Sequence, residues 1–355
     1  MSTKTILIQI LAITTFGGAA SAQEAPAPTS APMPARESPP AAAPIPPAPE
    51  TAIAPPAETA VASATVAPAT APAAAPPPYS LPWQLRPVAA ANVVRSDTAV
   101  AFYDNGAGAS GSTVATMLTA STKLTPSLAP LVRLGFVQND APAMGADGTS
   151  FVNPIVGATY ARRIEAFRWA AFLGATIPLG MGGAATPSAA STADAAGIRA
   201  RSAMDNAMFA VNYFTAIVGG DVAYVDHRVT LQAEATLFQL LRVRNDTAAS
   251  STDAARTNST IGLHAGVFIV PALSLGGEIR YQRWLSTPTQ LSMGNKVDIA
   301  DFAKDTVTVA VGPRAHFAVG KGMWLRPGIS YARGLDRPLT DASYNVIQVD
   351  VPLVF

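Results

Sequence analysis

The sequence predicts an all-β fold, a transmembrane antiparallel β-barrel of about twelve strands behind a signal peptide and a disordered Pro/Ala-rich segment. Three observations predict it. Hydrophobicity alternates with a period of two over the C-terminal two-thirds, the connections are alternately short and long, and only 13% of the residues are charged. Soluble domains average about 25% charged residues, so much of this chain is expected to face something other than water.

Residues 1–22 have the pattern of a secretory signal peptide. A polar start containing Lys4 precedes an apolar run over 6–13 and a small-residue end at 20–22, which predicts cleavage before Gln23. The apolar run is too short to cross a bilayer as a helix. The chain contains no Cys, so neither a lipid-anchored N-terminus nor a disulfide is expected.

Residues 23–80 are dominated by Pro and Ala and lack the large apolar side chains that offset the entropy of ordering a backbone. A disordered linker is therefore predicted, with the barrel occupying 81–355. Pro-rich linkers favour extended conformations, so a spacer that threads the cell-wall layer is the alternative interpretation. The net charge of +1 does not favour a nucleic-acid partner.

Period-two segments set the strand prediction. Strands are predicted near residues 90–104, 112–125, 129–139, 151–162, 167–177, 216–226, 229–243, 258–270, 272–284, 305–317, 323–334 and 344–355. The connections after even-numbered strands are tight, and those after odd-numbered strands are longer and rich in Gly, Ala, Ser, Asp and Pro. Outer-membrane barrels combine short periplasmic turns with longer external loops, so both barrel termini and the N-terminal arm are expected on the periplasmic side.

The two faces of the strands favour a membrane barrel over a soluble sandwich. In strands seven to twelve one face carries no charged residue, and an Arg or Lys facing lipid at the midplane would cost about 2–4 kcal/mol. The other face is rich in Gly, Ser and Thr with scattered Arg and carboxylates, which is typical of a crowded polar lumen. Arg outnumbers Lys by 19 to 5, and a guanidinium group can bridge two carboxylates.

Aromatic residues and prolines refine the strand prediction. Two interfacial belts are expected, one containing Phe167, Trp169, Phe317 and Phe355 and the other containing Tyr281, Trp284 and Tyr331. Four prolines fall inside predicted strands, where each removes a hydrogen-bond donor of the ladder: Pro154, Pro313, Pro327 and Pro352.

Charged residues on the predicted luminal face form the candidate functional site. These predicted pore-lining residues are Arg133, Asp221, Glu234, Arg242, Arg244, His264, Glu278, Arg280, Arg314, Arg326 and Asp350. They are expected either to form a constriction that selects solutes by charge or to fill a closed lumen with salt bridges. The sequence leaves both interpretations open.

The longest connection, from Pro178 to about Thr215, contains a possible helix. Met204, Met208 and Val211 are spaced as on one helical face, flanked by Arg199, Arg201 and Asp205. One hypothesis is a short helix folded into the barrel mouth, and the other is an extension of the following strand.

Motifs for cofactors or catalysis are weak. The stretch GAGASG at 106–111 fits a dinucleotide-binding pattern, but it precedes an alternating segment rather than the required helix, so a loop is predicted. The three histidines, His227, His264 and His316, form no metal-binding motif. By parity His264 and His316 face the lumen, whereas a barrel lipase would need a Ser–His pair at the lipid face. No cofactor, metal or enzymatic activity is expected.

The chain ends on YNVIQVDVPLVF, a two-faced strand that finishes with Phe355. This strand resembles the C-terminal signature of bacterial outer-membrane proteins, which their barrel-insertion machinery reads. The resemblance implies an outer-membrane location in a Gram-negative cell, with outer-membrane lipid and the insertion machinery as partners, and Phe355 as the insertion signal. The stretch NPIVGATY at 153–160 is faintly similar to barrels of aromatic-degradation pathways.

By the same resemblance, passage of small solutes is the expected function. One alternative is a non-conducting barrel that anchors the envelope, with the N-terminal arm reaching the cell wall. A second alternative is a barrel that binds surfaces through its external loops.

Overall fold

The computed structural model describes residues 79–104, 109–142, 147–183, 188–244, 254–286, 304–337 and 339–355. The predicted signal peptide, nearly all of the predicted linker and the start of the glycine-rich stretch lie outside these residues. In the described ranges the chain forms mainly β-strands, with two short helices in one connection. None of the helices described there is long and apolar enough to cross a bilayer.

The described strands are β1 (Val93–Asp104), β2 (Ser110–Ser121), β3 (Leu128–Asp140), β4 (Gly148–Phe151), β5 (Ile155–Ile164), β6 (Phe167–Thr176), β7 (Tyr213–Val225), β8 (Val229–Arg242), β9 (Ala255–Val270), β10 (Leu273–Trp284), β11 (Asp305–Ala315), β12 (Phe317–Gly320), β13 (Met323–Leu325), β14 (Gly328–Gly334) and β15 (Asn345–Val354). The described helices are α1 (Ala189–Ala200) and α2 (Asn206–Phe209), both between β6 and β7.

The strands close into a ring. Each strand pairs antiparallel with its neighbours in the sheet, and β1 pairs with β15 from Val93 opposite Val354 to Phe102 opposite Asn345. Because the first and last strands of the ring pair with each other, neither of them is left as an open edge, and closure is the condition for a β-structure to sit in lipid.

Three strands of the wall are interrupted. β4 and β5 pair with the same strand, β3, and are separated by a break that contains Pro154. β11 and β12 are separated at His316, and the break between β13 and β14 contains Pro327. Pro313 and Pro352 lie within β11 and β15. Counting each interrupted pair once gives twelve strands in the ring, so the predicted barrel and its strand number are confirmed.

The wall separates an apolar outside from a polar inside. Exposed and buried residues alternate along β8 from Val229 to its end, and outward side chains such as Leu263 and Ile279 are each 49% exposed. A continuous belt of such side chains around a closed ring matches a bilayer core. The class is therefore a transmembrane β-barrel.

The predicted aromatic belts need one correction. Phe167, Phe355 and Tyr331 are exposed on the outer surface, as expected for interfacial residues. Trp284 packs against the apolar cluster inside the barrel, because even-numbered positions of β10 face inward. Its predicted place in an interfacial belt is wrong.

The two ends of the barrel differ in their connections. β1 begins and β15 ends at the end with the short turns, such as 165–166 and 271–272, which we call the short-turn end. The opposite, long-loop end carries the connection between β6 and β7. As predicted, this connection is the longest, although β7 begins at Tyr213 rather than at residue 216.

Two parts of the chain that do not belong to the wall occupy the lumen. The first is residues 79–92, the luminal segment, in which Trp83 and Leu85 are each only 1% exposed. The second is the connection 177–212, the inserted loop, in which Met208 and Phe209 join an apolar cluster with wall residues such as Val137. The apolar core of the barrel therefore lies inside the ring.

Candidate functional site

The luminal segment is held at its tip by Glu278 of β10. The backbone N–H groups of Trp83 and Gln84 both donate to the Glu278 carboxylate, the second over 3.3 Å. Arg280 fixes the same carboxylate through an ion pair of 2.7 Å. Two wall side chains, Arg95 and Gln348, donate to the Trp83 carbonyl. Side chains of the wall thus satisfy backbone groups of a segment that has no strand partner, as burial requires.

Arginines of the wall hold the start of the segment. Arg314 Nε donates to the Leu81 carbonyl over 3.1 Å, and Arg314 Nη2 lies 2.9 Å from an Asp350 carboxylate oxygen. Arg326 Nη1 donates to the Tyr79 carbonyl over 3.3 Å. Tyr79 and its neighbour Ser80, which the sequence assigns to the disordered linker, are both buried inside the barrel.

Arg86 of the luminal segment reaches into a pocket of the wall. Its Nη1 lies 3.2 Å from Glu234 Oε1 and donates to Thr236 Oγ1 over 2.7 Å. Its Nε lies 3.5 Å from Asp221 Oδ2, and its guanidinium carbon lies 5.1 Å from the centre of the Phe172 ring.

A second charged network joins the inserted loop to the wall. Arg201 lies 3.0 Å from Asp97 of β1 and 2.8 Å from Asp205, its neighbour in the loop. Arg133 of β3 donates to both oxygens of Asp205, over 2.6 Å and 3.2 Å. Charges alternate along this chain of four side chains, so each buried charge faces a charge of opposite sign, as burial demands.

The inserted loop also carries a buried carboxyl without a close donor. Asp194 of α1 is 4% exposed, and neither of its oxygens has a hydrogen-bond partner among the described residues. Burial raises the pKa of Asp194 to about 7, which the nearby Ser150 hydroxyl only partly offsets.

A cavity of about 260 Å³ lies between the luminal segment and the wall. Residues of the segment, of the wall and of the inserted loop surround it, among them Arg86, Glu234, Phe172, Ile217, Phe238 and Met204. Its lining joins charged groups to aromatic and aliphatic side chains, so a small molecule with both characters is the kind that fits.

The predicted pore-lining residues contact the two luminal parts of the chain or lie next to them. Glu278, Arg314 and Arg326 bind the luminal segment directly. Asp350, Arg280 and His264 lie beside them, and His264 packs edge-on against Trp83 with ring centroids 6.1 Å apart. Their role as lining of an open pore stays a prediction.

The remaining predicted residues divide between the same two parts. Asp221 and Glu234 face Arg86, whereas Arg133 binds the inserted loop. Arg244 Nη1 donates to the Pro178 and Gly180 carbonyls of that loop, over 3.1 Å and 2.9 Å. Arg242 lies at the long-loop end of β8, opposite Tyr213.

The sequence analysis missed the residues of the luminal segment, their partner Arg95, and Asp97, which pairs with Arg201 of the inserted loop. A signal was present, because Tyr79, Leu81, Trp83 and Leu85 alternate with period two just after the Pro/Ala-rich stretch. For the inserted loop, the helix hypothesis is supported in position, since α2 includes Met208, while the main helix, α1, precedes the predicted stretch.

Ser274 and His316 form a hydrogen-bonded pair, with Ser274 Oγ 2.9 Å from His316 Nε2. Both side chains are buried, and the His316 ring lies against Phe268 with centroids 4.7 Å apart. The charged neighbours of the imidazole are Arg314 and Arg326.

The closed twelve-stranded ring, its apolar outer belt and its polar interior place the chain in the outer-membrane class of β-barrels. An outer membrane channel from Pseudomonas putida F1 is similar over 77% of this chain and 98% of that one, with a TM-score of 0.49 and 13% identity. The NanC porin matches over 72% and 98% of the two chains (TM-score 0.43, 8% identity). The KdgM porin matches over 74% and 99% (TM-score 0.40, 11% identity). No protein-family model and no curated protein sequence matches the chain.

Proposed function

We propose that this barrel passes small solutes across the outer membrane and that the luminal segment closes it. The observation that carries the proposal is that the lumen is filled by parts of the chain outside the wall. Eight-stranded barrels are filled by their own wall side chains, and barrels of sixteen strands leave a channel. A ring of twelve lies between these sizes, so its interior is wide enough to conduct once a filling segment leaves.

The path of the luminal segment supports withdrawal from one side. The backbone N–H of Val88 donates to the Tyr79 hydroxyl over 2.9 Å, which joins the two arms of a hairpin. Ser80 meets Thr230 near the start of β8, and Asn92 accepts from the backbone N–H of Phe355. Both arms therefore reach the short-turn end, and the tip can leave the lumen without threading the barrel.

We further propose that the short-turn end faces the periplasm, so that the N-terminal arm lies there and can meet the cell wall. An epitope inserted in the arm of the full chain tests this orientation. Antibody binding only after the outer membrane is permeabilised supports it, and binding on intact cells contradicts it.

A disulfide lock tests whether the luminal segment closes the channel. A Cβ atom added at Gly262 would lie 2.6 Å from Leu85 Cγ. Because Cγ is one bond from Cβ, the two Cβ atoms of a Leu85→Cys, Gly262→Cys pair would lie within the upper limit of about 4.5 Å that a disulfide tolerates. The chain has no other Cys. The full-length double variant is inserted in a planar bilayer and its single-channel conductance is recorded before and after dithiothreitol.

We expect the oxidised pair to hold the channel closed and reduction to restore the conductance of the unsubstituted protein. The Leu85→Cys variant alone is the matched control and should not respond to dithiothreitol. Equal conductance in the oxidised and reduced double variant would show that the luminal segment does not close the channel.

The second candidate function is a non-conducting barrel that anchors the envelope. The charged groups inside the lumen favour this function, because they are already paired with one another. Every side chain of the Asp97–Arg201–Asp205–Arg133 network lies next to a side chain of opposite charge. Liposome swelling with the purified full chain separates the two functions. Swelling in small sugars supports passage, whereas no swelling together with retention of the arm on isolated cell wall supports anchoring.

A further inference from the structure

The pocket that holds Arg86 is built by three adjacent strands of the wall. In the sheet register Phe172 of β6, Gly219 of β7 and Thr236 of β8 stand in one cross-strand row. Asp221 and Glu234 stand directly opposite each other in the next inward-facing row. The side chains of Phe172, Thr236, Asp221 and Glu234 all belong to the wall. The pocket therefore persists when the luminal segment leaves.

Among the described ion pairs, none joins a cationic side chain of the wall to the two carboxylates of this pocket. Asp221 and Glu234 side chains are 1% and 5% exposed, and like charges directly opposite each other in a sheet are destabilising. One guanidinium group, that of Arg86, faces both carboxylates. Withdrawal of the luminal segment therefore leaves two acidic groups side by side with a need for a cation.

The shape of the pocket fits a flat cation. A Cβ atom at Gly219 would overlap Arg86 Nη2, so the glycine makes the space in which the guanidinium lies. Phe172 offers its ring face on one side, where a cation is attracted by the ring electrons. Thr236 accepts a hydrogen bond from Arg86 Nη1 over 2.7 Å, Asp221 accepts one from Nη2 over 3.5 Å, and Glu234 forms an ion pair with Nη1 at 3.2 Å. These contacts suit the fork of donors of a guanidinium group.

An apolar compartment adjoins the pocket. Ile217 and Phe238 line the 260 Å³ cavity next to Arg86 and Glu234. A solute with a cationic head and a small apolar body would place its head between the carboxylates and its body against these side chains.

We infer that the Asp221–Glu234 pocket is a binding site for the guanidinium or primary ammonium group of a small organic cation, and that Arg86 occupies it in the closed barrel. The inference rests on the proposed function, because a solute reaches the pocket when the luminal segment withdraws. Arg86 then acts as an internal competitor, and a cationic solute favours the open state by replacing it.

Chemical rescue of an Arg86→Ala variant tests the site without any need for conduction. The full-length variant in detergent is titrated with methylguanidinium, and with methylurea as the uncharged molecule of the same shape. The temperature at which the folded band is lost on unboiled gels is the readout. We expect a saturable rise with methylguanidinium and an apparent affinity about tenfold weaker, or none, with methylurea.

Two variants make the rescue specific. Adding Glu234→Gln to Arg86→Ala should abolish the rise, because one of the two carboxylates is gone. Arg168→Ala is the matched control, since Arg168 also meets the luminal segment, lying 5.0 Å from the Tyr79 ring, but through an aromatic face. It should show no rise. Equal effects of methylguanidinium and methylurea, or a rise that survives Glu234→Gln, would overturn the inference.

If Arg86→Ala does not fold, the unsubstituted protein provides the test. Methylguanidinium should raise the fraction of time that its channel is open in a planar bilayer, at concentrations where methylurea does not, and Glu234→Gln should weaken this effect about tenfold. An effect of methylguanidinium that is the same in both proteins would overturn the site. If methylguanidinium stabilises Arg86→Ala in detergent but the protein carries no current in a bilayer, the cation site would be supported and the proposed passage of solutes would be contradicted.

Discussion

The substitution Asp205→Asn should release the inserted loop from the wall. Asp205 is the only acid of the loop that meets both Arg133 of β3 and Arg201 of its own segment within the described ion pairs. Asn keeps the shape of the side chain and removes its charge. Two arginines would then face one remaining carboxylate, Asp97, in the interior of the barrel.

The magnitude follows from burial. Removing one partner of a buried ion pair costs about 3–5 kcal/mol, because the other charge is left uncompensated. The Arg201 side chain is fully buried, whereas that of Arg133 is 18% exposed and can be hydrated. The lower end of the range, about 3 kcal/mol, is therefore expected, and this corresponds to roughly a hundredfold larger population of the open loop.

Hydrogen–deuterium exchange of the full chain in detergent measures this opening. Amides of 189–212 should exchange roughly a hundredfold faster in Asp205→Asn, while those of β8 to β10 should not change. Asp341→Asn, which removes the carboxylate of an exposed ion pair with Arg337, is the matched control and should leave exchange unaltered. Adding Arg133→Gln to Asp205→Asn should restore part of the protection, because the uncompensated charge is removed. Unchanged exchange in Asp205→Asn would refute the role of this network.

Three further predictions concern the lipid face, the loop and the C-terminus. Ile279→Arg should lower the free energy of unfolding in liposomes by about 2–4 kcal/mol, and Leu273→Arg, at the end of the same strand, by about 0–1 kcal/mol; equal losses would contradict the predicted depth. The pKa of Asp194 is about 7 against 3.8 for a free carboxyl, so the stability that its protonated form contributes to the inserted loop is fully present below pH 4 and is lost as the pH rises through 7. Its amides should exchange faster at pH 8 than at pH 5, after correction for intrinsic rates, and Asp194→Asn should remove this difference. Phe355→Ala should reduce the heat-modifiable barrel recovered from outer membranes; an unchanged yield would count against an insertion signal.

The strands were predictable because lipid and lumen impose a strict requirement on alternate residues. A residue such as Ile279 meets hydrocarbon and its neighbour Glu278 meets the interior, so the period of two survives along nearly the whole wall. The prediction of Trp284 at the lipid interface ignored this parity. That prediction used only the position of Trp284 near a strand end. Which face of the strand the side chain lies on must also be known before a residue can be placed at the lipid interface.

The filling of the lumen was not predictable in the same way. Contacts of the luminal segment join residues far apart in sequence, such as Gln84 with Glu278 and Leu81 with Arg314, and no local pattern encodes such pairs. The segment has no regular hydrogen-bond ladder, and the alternation of its large apolar residues ends at Leu85, because Pro87 takes the next position of the series. The charged luminal residues were identified from parity, but parity does not say which groups they bind.

The luminal segment and the inserted loop differ in the contacts that must break before each can leave the lumen. This difference indicates that the luminal segment is the part that moves. The inserted loop is joined at both ends to adjacent strands of the wall, β6 and β7, and its Met208 and Phe209 pack with Met117 and Val137. Each large apolar side chain stabilises such a core by about 1.5–3 kcal/mol when buried.

The luminal segment joins the wall only at β1, and its flanking apolar contacts are with small residues such as Ala161, Ala170 and Ala223. Its tip is held by hydrogen bonds to Glu278, and such bonds contribute about 0.5–3 kcal/mol each because water replaces them when they break. Water entering the lumen would compensate these bonds, but it would compensate neither the exposure of Trp83 and Leu85 nor that of the Met208 cluster. The difference that remains is the attachment, because the luminal segment joins the wall at one end and the inserted loop at both. Opening is therefore expected to begin with the luminal segment, while the inserted loop remains in place and narrows the path from the long-loop end.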